Sequence, residues 1–248
     1  MTIGKIVHKL EACTSTNDVA RVFADDGFEE GMVVLAESQI EGRGTKGRTW
    51  FSPPGKGLYL SVILRPEPAA AALMPLVAGL AVREAVAAAA GLRPGLKWPN
   101  DIVWDGRKLG GVLCETSWSG SHFNYLILGI GLNVDHGNED FPPDLRETAV
   151  SLRLASDRPP DREALLAALY PALDRWYDVL RSGRKEAVVR AAEEALGLRR
   201  GDPVTIETTA GPASGAFAGI KPDGRVGLKV AGRAKLWPPS EVRAITAD

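Results

Sequence analysis

The sequence predicts an α+β fold: a mixed or antiparallel sheet packed with helices, followed by a small carboxy-terminal β-barrel. Three observations predict it. Strand-like segments mostly follow one another while helical patterns gather in blocks, which is not the alternation of a βαβ fold. A composition shift at Leu196-Gly-Leu-Arg-Arg-Gly-Asp-Pro203 opens a run of short apolar segments divided by glycine and Pro-Asp-Gly turn signals. The 248 residues, 45% hydrophobic and 25% charged, suit one sizeable core with a small appendage and have an ordinary globular balance. The division is expected at 1–197 and 198–248.

The elements follow in chain order. Ile3 to Ala12 alternates apolar and polar positions as a strand does, and Ser15-Thr16-Asn17-Asp18 then offers capping residues ahead of the helical spacing of Val19, Val22 and Phe23. Further strands are predicted at Met32 to Ala36, Leu58 to Leu64, Leu109 to Glu115 and Tyr125 to Ile130, each bounded by Gly, Pro, Asn or Asp. Ala69 to Ala90 reads as a helix. Its apolar stretch carries Arg83 and Glu84 in the middle, as a buried helix tolerates better than a membrane span. Asp161 caps a helical stretch reaching about Leu196, broken at Ser182-Gly183. In the barrel, strands are predicted at Val204 to Glu207, Gly215 to Ile220, Gly224 to Val230 and Ala234 to Trp237.

Charge and cysteine usage exclude several classes. A net charge of −1 gives no global footprint for nucleic acid or an anionic membrane, so any anion site is local. Cys13 and Cys114 stand far apart, without the spacing of a zinc site or a disulfide framework. The first residues lack the apolar run and small-residue cleavage site of a secretory signal. A reducing, cytoplasmic setting is expected.

The exception to the neutral balance is Gly42 to Trp50, GRGTKGRTW. Gly42-x-Gly44-x-x-Gly47 satisfies the dinucleotide fingerprint literally, but Trp50-Phe-Ser-Pro-Pro54 forbids the helix that must follow, so a nicotinamide cofactor is rejected. What remains is a backbone able to approach a ligand closely, with Arg43, Lys46 and Arg48 to bind carboxylate or phosphate oxygens. A solvated hairpin tip is the bland alternative. A second constellation is Lys97-Trp-Pro-Asn-Asp101 followed by Asp105-Gly106 and Arg107-Lys108-Leu-Gly-Gly111. There an Asp can hold Mg²⁺ on phosphates and a Lys can neutralise charge developing at phosphorus. A third is Gly129-Ile-Gly131-Leu-Asn133, where glycines in an apolar strand imply close approach of a ligand or of backbone.

Taken together these segments resemble the catalytic region of biotin protein ligases of the type without a DNA-binding domain. The matching pieces are Ser15-Thr16-Asn17, Gln39 with the 42–50 loop, Lys97 to Asp101, Gly106 to Gly111 and Gly129 to Asn133, in family order, with Ala149-Val-Ser-Leu152 behind them. The resemblance implies a class II synthetase-like catalytic domain with an SH3-like unit, and ATP-dependent formation of biotinyl-5′-AMP. Transfer to a lysine of the biotin carboxyl carrier protein of acetyl-CoA carboxylase would follow. Lys108 and Arg43 are implied as catalytic. Ser15, Thr16, Asn17, Gln39, Gly42, Arg43, Lys108, Gly111, Gly129 and Gly131 would bind biotin. Arg43, Arg48, Trp50, Asn100, Asp101, Lys108, Asn133 and Arg225 would bind ATP, with Mg²⁺ on Asp101. Thr45 stands where many relatives have a second arginine, so the adenylate is expected to be held less tightly unless Lys46 swings in. Relatives occur as monomers and as homodimers; no DNA, operon repression or membrane is expected. The alternatives are a lipoate–protein ligase and a non-catalytic nucleic-acid-binding module. The Lys97 to Asp101 run favours biotin over lipoate, and the small barrel lacks the interleaved basic and aromatic residues of a nucleic-acid surface.

Overall fold

The computed structural model describes residues 2–156 and 161–247. After β1 (Val7–Leu10) the chain enters α1 (Thr16–Asp25), then β2 (Val33–Ala36) and β3 (Gly57–Leu64). A 3₁₀ turn at Pro68–Leu73 leads into α2 (Met74–Ala90), which ends on Gly91 in the left-handed region at φ 71°. Two short strands, β4 (Gly95–Lys97) and β5 (Asp101–Trp104), precede the long hairpin of β6 (Arg107–Ser119) and β7 (His122–Asn133). The single turn α3 (Leu152–Ala155), α4 (Arg162–Arg181) and α5 (Lys185–Leu196) follow. The first sheet is ordered β1-β2-β3-β7-β6-β5-β4, with β1 and β2 parallel and every other pair antiparallel. This is the expected mixed sheet, with two strands beyond those predicted.

Both faces of this sheet are covered, and strand periodicity divides them. Leu60, Val62 and Leu64 of β3 join Leu126, Leu128 and Ile130 of β7 in one core with α2, α4 and α5. On the other face Val34, Ile63, Tyr125 and Ile127 pack under Ala20 and Ala24 of α1. All eight residues of β3 are consequently buried. The stretch Pro68–Ala90 is long and apolar enough to cross a membrane by composition, and 67% of its most apolar window is buried inside the fold, so its apolarity is explained by packing. The predicted break between α4 and α5 is present, with Gly183 at φ 79°.

Beyond α5 lie β8 (Pro203–Thr208), β9 (Gly211–Ile220), β10 (Val226–Val230), β11 (Arg233–Trp237) and β12 (Val242–Ala247). They form one antiparallel sheet in the order β11-β10-β9-β8-β12, the SH3-like unit with one strand more than predicted. Its core residues Val204, Ile206, Phe217 and Val226 are continuous with the main core. Glu193 of α5 accepts a hydrogen bond from the Ile220 amide at 2.7 Å, which adds a polar tie.

Candidate active site

The face under α1 changes character along β7. Pairing places Ser61, Gly129 and Leu113 in one row and Tyr59, Gly131 and Gly111 in the next, beyond the row of Ile63, Ile127 and Glu115. Glycine therefore replaces apolar bulk where the α1 layer ends, and the floor of a cavity begins. A Cβ on Gly129 would meet Asn17 Oδ1 at 2.4 Å, and one on Gly131 would meet the Trp50 indole at 2.5 Å. The close approach read from these glycines is thus made by the side chains of two other site residues.

The cavity has a volume of about 480 Å³ and gathers Ser15, Thr16, Asn17, Gln39, Arg43, Arg48, Trp50, Asn100, Asp101, Lys108, Gly111, Gly129, Gly131 and Asn133. Three residues expected at the site lie outside its lining: Gly42, Arg225 and Lys46. Gly42 sits behind the wall, where a Cβ would meet the Trp50 carbonyl at 2.4 Å and Ser52 Oγ at 2.6 Å; its small size serves the loop's own fold. Arg225 is held on Asp223, two residues back, at 2.7 Å, and its turn packs at Ala72 instead.

One set of groups, in the lining and directly behind it, is neutral and, apart from the half-buried Gln39, buried. The Thr16 amide and hydroxyl donate to Gln39 Oε1 at 2.9 and 3.2 Å, and Gln39 Nε2 donates to Ser52 Oγ at 2.9 Å. Ser61 Oγ lies 2.7 Å from Thr16 Oγ1 and 2.6 Å from Asn17 Oδ1. Asn17 Nδ2 donates to Glu115 at 2.8 Å. These hydroxyls and amides sit where α1 begins against β3, and each both donates and accepts.

The other set carries charge. Lys108 Nζ binds Asp101 Oδ1 at 2.6 Å and lies 5.4 Å from the centre of the Trp50 ring. The β5–β6 turn, with Asp105 at φ 48° and Gly106 at φ 71°, brings these two side chains together. Arg43 is gripped by Asp18 through both terminal nitrogens, at 2.7 and 2.6 Å, with Glu115 at 3.6 Å. That grip holds the Asp18 carboxyl below its ordinary range and raises the Arg43 guanidinium. Arg48 folds back on the loop, donating to the Thr45 carbonyl and hydroxyl. Lys46 turns away from the cavity and donates to the Val242 carbonyl of β12 at 3.0 Å, so it does not stand in for the arginine missing at Thr45. Burial, then Arg243 and Arg48, lower its pKa.

The asparagines are braces as well as lining. Asn100 Nδ2 donates to the Val112 carbonyl at 2.9 Å, and Asn133 Nδ2 to the Lys108 and Val150 carbonyls at 3.3 and 3.1 Å, which leaves each its Oδ1 for a ligand. Trp50 Nε1 is a buried donor without a partner. The loop closes as a hairpin, with Trp50 N on the Gly42 carbonyl and a bridge between Arg43 and Thr49. It runs on to β3, not to a helix. Residues the sequence reading did not single out for the site are Asp18, Ser61, Glu115, Phe141 and Glu147. Asp18 follows Asn17 directly and was visible as a first-turn acid, whereas Glu115 is only the charged exception in an apolar strand.

A cavity with neutral hydrogen-bonding groups beside two cations fits a ligand that joins a polar uncharged head to a carboxylate or phosphate. Residues 10–133 match the model of the biotin/lipoate A/B protein ligase family. The biotin–acetyl-CoA-carboxylase ligase of Paracoccus denitrificans is 34% identical over 233 residues, 92% of this chain and 96% of that protein. The bifunctional ligase/repressor BirA of Bacillus spizizenii is 33% identical over 86% of this chain, which covers 66% of that protein's length. A biotin protein ligase from Aquifex aeolicus, solved in complex with biotin and ATP, aligns with a TM-score of 0.82 and 26% identity, covering 98% of this chain and 100% of that one. On the family match across residues 10–133, with the Paracoccus relative aligned over nearly its whole length, the chain belongs to the biotin/lipoate A/B protein ligase family.

Proposed function

We propose that the chain is an ATP-dependent biotin protein ligase. A carboxylate oxygen of biotin attacks the α-phosphorus of ATP, pyrophosphate leaves, and biotinyl-5′-AMP stays in the cavity. The amine of a carrier lysine then attacks the acyl carbon, loses a proton, and AMP departs. The observation that carries this reading is the joining, in one cavity, of the neutral Thr16, Asn17 and Gln39 set, backed by Ser61, with Lys108 and Arg43. The neutral set can answer the N–H and C=O groups of a ureido head, and the glycine floor leaves depth for an acyl chain. Lys108 faces the forming acyl phosphate, where a cation offsets the charge developing in the transition state. Arg48 and Trp50 bound the nucleotide side.

Among the described residues no group of three His, Cys, Asp or Glu side chains converges. The carboxylates lining the cavity are Asp101 and Glu147. This donor set fits Mg²⁺ arriving on the triphosphate with one carboxylate at hand, and does not fit a resident metal. The partner we infer is a biotin carboxyl carrier protein, with neither DNA nor membrane. Two unpaired thiols, Cys13 and Cys114, support a cytoplasmic setting.

Pyrophosphate exchange into ATP with Mg²⁺ tests the reading. Exchange that requires biotin is expected. Exchange with lipoate alone would move the same residues to the sister activity within the family, and none with either acid would overturn adenylation.

A further inference from the structure

We propose that Asp18 is a positioning residue that holds Arg43 at the cavity edge and yields it to the carboxylate of the incoming acid. The inference rests on the ligase reading and adds to it a residue outside the cavity lining. Arg43 lines the cavity with the neutral set, yet both terminal nitrogens of its guanidinium are already engaged by the two oxygens of Asp18. A planar fork of this kind offers one best site for a carboxylate. Asp18 fills it with the same chemistry that the substrate would bring.

The surroundings favour exchange over a fixed bridge. The two side chains are 34% and 40% exposed, and a pair so wet is worth little to stability. A second carboxylate, Glu115, stands 3.6 Å from the same nitrogen and is itself held by Asn17 at 2.8 Å and Arg21 at 3.2 Å. Glu115 is therefore tied to a side chain of the neutral set, while the hydrogen bonds of the Asp18 carboxylate go to Arg43, with the Arg21 charge and the Cys13 thiol near enough to be felt. Replacing one bidentate carboxylate by another conserves the hydrogen bonds of Arg43, so the swap requires little energy. An uncharged ligand cannot make it.

The test compares biotin with biotinol, its neutral alcohol, by calorimetry on the full chain. Asp18→Asn is expected to bind biotin about fivefold tighter than the parent protein, the scale of one partly exposed ion pair, and to bind biotinol unchanged. In an Arg43→Met background the same substitution should leave biotin affinity unmoved, which separates release of Arg43 from any general effect on α1. Equal shifts for both ligands, no shift for either, or a shift that survives Arg43→Met would overturn the role of Asp18. A parent protein that binds neither compound would overturn the ligase reading, and the competition with it.

Discussion

At Lys108 one side chain serves two neighbours: its ammonium neutralises Asp101 at 2.6 Å and overlies the face of Trp50. Lys108→Gln keeps a hydrogen-bonding tip but removes the charge, so biotin-dependent pyrophosphate exchange should fall by about 10²-fold, the usual effect of losing one preorganised stabiliser. Biotin affinity should move far less, as calorimetry would reveal. Gly131 limits volume: a methyl there meets the indole at 2.5 Å, so Gly131→Ala should displace Trp50, lower stability by about 1–3 kcal/mol in a denaturant titration and weaken biotin binding. The positions of Lys108 and the glycines were legible because cations and glycines are conspicuous in apolar strands. The partners of the cations were not, since whether Arg43 meets Asp18 or a phosphate depends on how a loop and a helix meet across 25 residues. Arg225 shows the same gap in reverse: a cation at a turn reads alike whether it faces a ligand or its own Asp223.

Short elements escaped the sequence reading for a related reason. β4 and β5 have three and four residues around Trp98 to Asn100, too few for a period of two to be recognised, yet their pairing carries Asp101 to Lys108. The long strands, the buried helix α2 and the break at Ser182-Gly183 were legible because their patterns run for many residues or end on glycine. Behind the cavity, the one-turn helix α3 depends on its cap. Ser151, fully buried, donates to the His136 carbonyl at 2.6 Å and accepts from the Leu154 amide at 3.2 Å. Ser151→Ala leaves two backbone groups without partners and should cost about 1–3 kcal/mol, read from chemical denaturation. The segment it closes supplies the Val150 carbonyl to Asn133, so substrate affinity should weaken with it.

For the whole molecule, acid sensitivity is expected to come from a group outside the cavity lining. His136 is fully buried and stacked on Phe141 at 4.7 Å, and its pKa is pushed down to about 4, chiefly by burial, with Lys56 lowering it and Asp140 and Asp135 opposing. The unfolded chain then binds the extra proton between its ordinary value near 6.5 and 4, so the contribution is complete above that range and lost as pH falls through it. The loss is about 3 kcal/mol. Melting temperature should therefore drop between pH 7 and 5, and His136→Leu should flatten that part of the profile. Fold class was legible at this scale, including the small β-unit; β12 was not, because six residues near the chain end resemble a tail until β8 is there to pair with them.

The bond from Lys46 to Val242 joins positions 196 residues apart and ties the tip of the 42–50 loop to the backbone of β12. Two parts of the chain that look unrelated in sequence therefore share one resting position. A ligand that shifts the loop must break or bend this bond, so a change in hydrogen exchange around Val242 on adding biotin and ATP is the expected outcome.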